Sequence, residues 1–213
     1  MSPTEGPPAN KARKIDNNKM QIVKVLGICG SLKASSVNMS ALRYMASQAP
    51  NANVEFQIAD LSQVPFLNTD EESNKPPSVQ KLLDQFQWAD AIVLATPEYN
   101  YSYTPAIKNA LDWGSRMPGN VGFKGKAAAL LSVGGGLKGS RAQYHLRQVG
   151  VFLDLHILNK PEVLLSAFDG TFDTKTGELL ADDAKARLVK QLEALRDFSI
   201  QLNPAPAAGS SEL

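Results

Sequence analysis

A chain of 213 residues, 43% apolar and 20% charged, suits one globular domain with a core of its own rather than a fibrous or disordered protein. The two ends account for the whole net charge of +1, so the body is neutral and offers no field to steer nucleic acid or an anionic membrane. No apolar run reaches the ~18 residues of a membrane helix, and the only cysteine, Cys29, rules out an intrachain disulfide and suits a reducing, cytoplasmic setting.

Residues 1–19 are rich in Pro, Asn and Lys and almost free of apolar side chains, so they read as a disordered extension. The folded domain spans 20–202, and 203–213 read as a second disordered tail. The first β-type run covers 22–28 and ends at Gly30-Ser31. A helix over 38–48 follows, then a strand over 54–58, a long loop with Pro65, and a helix over 77–88. In that helix Val79, Leu82, Leu83 and Phe86 recur at three- and four-residue steps, the mark of one apolar face. The run 91–96 is almost continuously apolar, as in a strand covered on both sides of a parallel sheet. A loop and a helix to Trp113 come next. A strand over 127–133 follows, then a helix over 141–152 and a fifth strand near 156–158 that resumes around 162–165. The last helix spans 182–201, with Leu188, Leu192 and Leu195 on one face. Five strands alternating with five helices argue for an α/β, five-stranded parallel sheet, doubly wound. Such sheets bind ligands beyond the carboxyl ends of their strands.

Three loops therefore carry the chemistry. After the first strand, Ser31, Lys33, Ser36, Val37 and Asn38 combine hydroxyls, a cation and a helix N-terminus, which suits a phosphate. Ser36 or Asn38 would serve equally as an ordinary helix cap. No Walker or dinucleotide glycine pattern is present. After the third strand, Pro97, Glu98, Tyr99 and Asn100 lead a turn with three tyrosines in five residues, able to embrace a planar heterocycle or to form a subunit contact. After the fourth, Ser132, Gly134, Gly135 and Gly136 let backbone approach a ligand closely. Cys29 reads as a buried structural thiol. His145 and His156 read as packing or interface residues. Asp112 reads as a solvated helix residue and Glu98 as a brace. With two histidines and one cysteine no metal site is expected.

Taken together, these motifs resemble the NADPH-dependent FMN reductase family, which includes bacterial chromate/quinone reductases and short plant and fungal NAD(P)H:quinone reductases. The carriers are Gly30-Ser31-Leu32-Lys33 with Ser36 and Asn38, Pro97-Glu98-Tyr99-Asn100 with Lys108-Asn109-Ala110-Leu111-Asp112-Trp113, and Gly134-Gly135-Gly136 with residues 141–147. The resemblance implies a flavodoxin-like fold. It implies that Ser31, Lys33, Ser36, Val37 and Asn38 hold the FMN phosphate, that Pro97, Glu98, Tyr99 and Asn100 line the isoalloxazine, and that Ser132, Gly134, Gly135 and Gly136 flank its pyrimidine edge. Lys33 stands where the family usually has Arg, keeping the charge but losing the bidentate fork.

The implied activity is hydride transfer from NADPH or NADH to a quinone-type acceptor by a ping-pong route. The flavin N5 carries the hydride and no side chain is catalytic. A homodimer or homotetramer is implied, with Arg141, Tyr144 and Glu162 at its contacts. A one-electron carrier like flavodoxin and a flavin-dependent redox-regulated binding protein are the alternative readings.

Overall fold

The computed structural model describes residues 21–204. The expectations for 1–19 and for the chain after Pro204 lie outside them. Six strand segments, β1 (Val23–Cys29), β2 (Val54–Ile58), β3 (Ala91–Thr96), β4 (Ala127–Gly134), β5 (His156–Ile157) and β6 (Val163–Ser166), form one parallel sheet. Its order is β2-β1-β3-β4-β5, the flavodoxin-like arrangement. Five α-helices cover it: α1 (Val37–Gln48), α2 (Pro77–Trp88), α3 (Pro105–Gly114), α4 (Ser140–Leu153) and α5 (Asp182–Leu202).

Sequence chemistry sets the element ends. Ser36 caps α1 by accepting the Met39 N–H, and Thr104 caps α3 by accepting the Ile107 N–H. Pro77 and Pro105 occupy the first helical positions, where a missing N–H costs nothing. The central strand β3 is buried at every residue, which explains its unbroken apolar run. One side of the sheet packs against α1 and α5 through Leu42, Met45, Leu188 and Leu192. The other packs against α2, α3 and α4 through Phe86, Ile107 and Leu146.

The fifth strand position is broken, as its interrupted apolar pattern suggested. β5 pairs with Ala127 and Ala128, β6 pairs with residues 131–134, and both use the same flank of β4. The gap at 158–162 leaves the Leu130 carbonyl without a strand partner. Gln191 of α5 fills the gap, its Nε2 donating to Leu130 O at 2.9 Å and Pro161 O at 3.1 Å. A buried carbonyl left unpaired would cost roughly 1–3 kcal/mol.

The carboxyl ends of β1, β3 and β4 are laid side by side. Cys29 stands opposite Ala95, and Thr96 opposite Ser132. Adjacent parallel strands lie ~4.8 Å apart, so the three loops that follow leave from one short stretch of edge.

Candidate active site

The loop from β1 to α1 leaves its donors open. Ser36 N–H bonds to Lys33 O at 3.1 Å, and Ser40 N–H begins the helix ladder on Ser36 O. Among the described residues, the N–H groups of Lys33, Ala34, Val37 and Asn38 have no protein acceptor. Lys33 is exposed and forms no ion pair there. A cation beside unpaired N–H groups at a helix start is a site for an anion.

Two expected ligand residues face inward instead. Asn38 is buried, with Nδ2 donating to Val133 O at 3.0 Å and Oδ1 accepting Val133 N–H at 2.9 Å. It bolts the first loop to β4, and its own backbone N–H is what remains for a ligand. Ser132 is fully buried, donating to Lys138 O at 2.7 Å and accepting from Gln143 Nε2 at 2.9 Å. It shapes the turn after β4 from beneath. Ser36 is likewise a cap first. Ser31 and Lys33 line open space, Val37 packs half-buried on the core, and Gly135 and Gly136 are exposed. A Cβ added at Gly136 would meet nothing within 4 Å.

The loop after β3 is braced from several directions. Tyr99 and Ser102 exchange backbone bonds of 2.9 and 3.0 Å across a tight turn. Asn100 and Tyr101 between them have φ of 50° and 69°, a conformation that strains any residue with a Cβ. Glu98 binds Arg141 Nη1 at 2.5 Å and also accepts the Arg141 backbone N–H at 3.2 Å, placing a carboxylate at the start of α4. The Arg141 guanidinium lies 3.7 Å from the centre of the Tyr101 ring. Ser102 Oγ meets His145 Nδ1 at 2.9 Å. Pro97 accepts the Thr96 hydroxyl on its carbonyl. Tyr99 and Asn100 are left exposed at the tip.

Sequence reasoning missed three contributors. Thr104, 1% exposed, donates from Oγ1 to Gly30 O at 2.6 Å and ties the first loop to α3. A Cβ on Gly30 would fall 2.6 Å from that hydroxyl, so the close approach requires glycine. The loop after β2 forms a wall. Asn109 accepts Leu67 N–H at 2.8 Å and donates to Pro65 O at 2.8 Å, and Trp113 Nε1 reaches the same carbonyl at 2.8 Å. Two buried polar groups one helical turn apart on α3 demanded such a partner, and that was the available signal. Finally, Gly177 (φ 76°) lies so close to Ser35 that a Cβ would stand 2.6 Å from its carbonyl oxygen. The hairpin bridged at Phe172 and Leu179 therefore rests on the first loop.

These walls enclose a cavity of about 390 Å³ lined by Gly30, Leu32, Lys33, Phe66, Tyr99 and Thr104, among others. Gly134, Gly135 and Gly136 stand outside it, at the same sheet edge. Lys108 and Asp112 form an i, i+4 ion pair at the surface. Cys29 is buried, and burial pushes its thiol pKa up against the weaker effect of hydrogen bonds with Ser31 and Ser36. Among the described residues no metal-ligand cluster exists and no helix is long and apolar enough to cross a membrane.

Residues 23–170 match the model of the NADPH-dependent FMN reductase family. This chain belongs to that family. It is 46% identical over 187 residues to an NAD(P)H:quinone oxidoreductase of Solanum tuberosum, covering 85% of this chain and 95% of that protein. It is 46% identical over 176 residues to an NAD(P)H-dependent FMN reductase of Pseudomonas aeruginosa, covering 82% and 94%. The solved structure of the flavoenzyme NAD(P)H:(acceptor) oxidoreductase FerB of Paracoccus denitrificans superimposes with a TM-score of 0.75 at 27% identity, covering 84% of this chain and 98% of that one. The protein is therefore an oxidoreductase that uses FMN and NAD(P)H.

The reductase's own residues fit the cofactor. The open N–H groups at the start of α1 and the Lys33 charge suit a phosphate. The bare backbone at Gly136 and the exposed Tyr99 suit the approach of a flat ring.

Proposed function

We propose that this reductase transfers two electrons from NAD(P)H to quinones and similar small acceptors, donor and acceptor taking turns at one place above bound FMN. The observation that carries the reading is the meeting of an open anion cradle, a tyrosine-tipped turn and an apolar cavity beyond three adjacent strands. The name of the Solanum tuberosum relative supports a quinone as acceptor.

FMN, when bound, supplies a ring that accepts and returns a hydride equivalent. In this proposal Lys33 and the N–H groups of Val37 and Asn38 hold its phosphate. Pro97, Glu98, Tyr99 and Asn100 line one side of the ring through a turn that Arg141 and His145 keep rigid. Gly134, Gly135 and Gly136 bring N–H groups to the pyrimidine edge, where they stabilise negative charge. Phe66 and Tyr99 shelter the reacting region from water. No side chain needs to act as acid or base, and His145 is already held by Ser102.

Arg141 and Glu162 find partners within their own chain, Glu98 and Lys160, which leaves the exposed Tyr144 as the contact we assign to a homodimer or homotetramer. The single cysteine supports a cytoplasmic setting.

The test begins with the absorbance of purified protein. A bound flavin that bleaches on anaerobic NADPH and recovers on adding a quinone supports the reading. Parallel double-reciprocal lines support the shared place for donor and acceptor. A protein that stays colourless with added FMN defeats the first claim, and intersecting lines defeat the second.

A further inference from the structure

The turn that follows β4 sorts its polar groups by kind. Its carbonyls are taken up within the fold. Gly134 O accepts Ala167 N–H at 2.9 Å, Gly135 O accepts Lys138 N–H at 2.8 Å, Leu137 O accepts Ser140 N–H at 3.0 Å, and Lys138 O accepts the Ser132 hydroxyl at 2.7 Å. Among the described residues, the N–H groups of Gly135, Gly136 and Leu137 have no protein acceptor, and all three residues are exposed. Successive open N–H groups in a turn form a concavity that favours an anion.

One of those carbonyl bonds depends on a buried relay. Ser132 is fully buried, and Gln143 of α4 is 4% exposed. Gln143 Nε2 donates to Ser132 Oγ at 2.9 Å and to Val163 O of β6 at 2.8 Å. A carbonyl only accepts, so the Val163 bond fixes which end of the Gln143 amide faces Ser132. The amide donates to the serine oxygen, and the single hydroxyl proton is left for Lys138 O. Lys138 has a φ of 54°, a conformation that costs energy in any residue with a Cβ and needs such support. Gly139 makes room for the relay, since a Cβ there would stand 2.8 Å from Ser132 Oγ.

We propose that Gln143 is a positioning residue for the reduced cofactor: through Ser132 and Lys138 it keeps the N–H groups of the turn outward, so that the enzyme holds reduced FMN more tightly than oxidised FMN. Reduced flavin carries added negative charge at its pyrimidine edge, and a hydrogen bond to an ionised group is about twice as strong as one to a neutral group. The inference rests on the placement of that edge at this turn proposed above, and it adds how the fold biases the flavin toward its reduced form.

The ratio of the two affinities follows from the reduction potential of bound FMN relative to free FMN, so potentiometry on the flavin-loaded enzyme reads it. Ser132→Ala is expected to lower the preference for reduced FMN about tenfold, the size of one hydrogen bond to an ionised group. Ser132→Cys, a weaker donor of similar size, should fall between that variant and the wild type, and Gln143→Met should lower the preference by less than Ser132→Ala. Gln191→Met removes a tie to Leu130 of the same strand; it should lower stability and leave the preference unchanged. Amide hydrogen exchange of the wild type supplies a reading independent of any variant. Gly135, Gly136 and Leu137 should exchange more slowly with reduced FMN bound than with oxidised FMN bound. An unchanged preference in a folded Ser132→Ala, an equal fall in Gln191→Met, or equal protection by the two flavin states overturns the inference alone. Protection by neither state defeats the placement of the ring proposed above, and this inference with it.

Discussion

The two edges of the sheet are built from the same strands and have opposite chemistry. At the amino-terminal edge most polar groups close on one another, Gln21 Oε1 and Asn120 Oδ1 being the buried side-chain atoms left without a partner there among the described residues. Asp90 accepts Lys24 N–H at 2.9 Å and returns its own N–H to Lys24 O at 2.8 Å. Lys126 donates to Phe86 O at 2.6 Å, and Asn120 to Leu153 O at 2.7 Å. At the carboxyl-terminal edge N–H groups stay open, two consecutive non-glycine residues hold positive φ, and Lys33 and Arg43 lack acidic partners among the described residues. Satisfied groups stabilise an edge and unsatisfied ones make it a receptor. The contrast is sharpest when individual bonds are removed from the receptor edge.

The largest effect is expected at Asn38. Asn38→Ala leaves both the N–H and the carbonyl of Val133 without their partner in a buried place. Unpaired buried groups cost roughly 1–3 kcal/mol each, so urea denaturation should show a loss of about 2–6 kcal/mol. FMN affinity should fall with it, because the first loop loses its tie to β4. An unchanged midpoint would mean that this bolt carries no stability.

Thr104→Val comes next. It removes the donor to Gly30 O and the cap of α3 while keeping the volume. A loss of about 2 kcal/mol is expected from cap and carbonyl together. If the variant instead matched the wild type in denaturation and flavin binding, the first loop and α3 would not be coupled.

What the sequence disclosed follows from the same contrast. Strand positions, helix faces and the three loops were legible, because apolar periodicity and cap residues act locally. The interruption of the fifth strand was visible too. The roles of Asn38 and Ser132 were not legible, since a short polar side chain near a glycine-rich loop looks the same whether it points to a ligand or to the backbone behind it. Val133 lies 95 residues from Asn38, and only the register of β4 brings the two together. Thr104, the wall at residues 65–67 and the hairpin carrying Gly177 were missed for the same reason. Each acts through contacts across the fold, and the loop after β2 carries no motif of its own. Asn109 and Trp113 belong to the stretch that carries the family resemblance, and their task in the fold is to hold Pro65.

Lys33→Gln probes the receptor edge without touching its architecture. The side chain is exposed and unpaired among the described residues, so the cofactor-free protein should unfold at an unchanged urea concentration. FMN should bind about tenfold more weakly, one charge-assisted contact having gone. The remaining affinity should depend less on salt. Unchanged flavin binding would place the phosphate elsewhere.

The smallest effect is expected at the closed edge, where stability depends on pH through Lys126. Burial lowers the Lys126 pKa from 10.5 to about 8, against a weaker opposing pull from Asp90. Below about 8 both folded and unfolded chains hold the proton, and the burial penalty is in force. Between about 8 and 10.5 the folded chain releases it while the unfolded chain keeps it, so stability rises with pH. Cys29 works the other way: its folded pKa lies above 9.0, the unfolded thiol ionises first, and stability falls as pH climbs past 9. Comparison with a variant that keeps Cys29 and lacks the lysine therefore isolates the lysine, and the window from 8 to 9 keeps the thiol's contribution small. Thermal unfolding of the wild type should gain on that of Lys126→Met across that window, by a small amount because Lys126 is only partly buried. Parallel curves would mean that water reaches the ammonium freely, and the amino-terminal edge would then be more open than its hydrogen bonds imply.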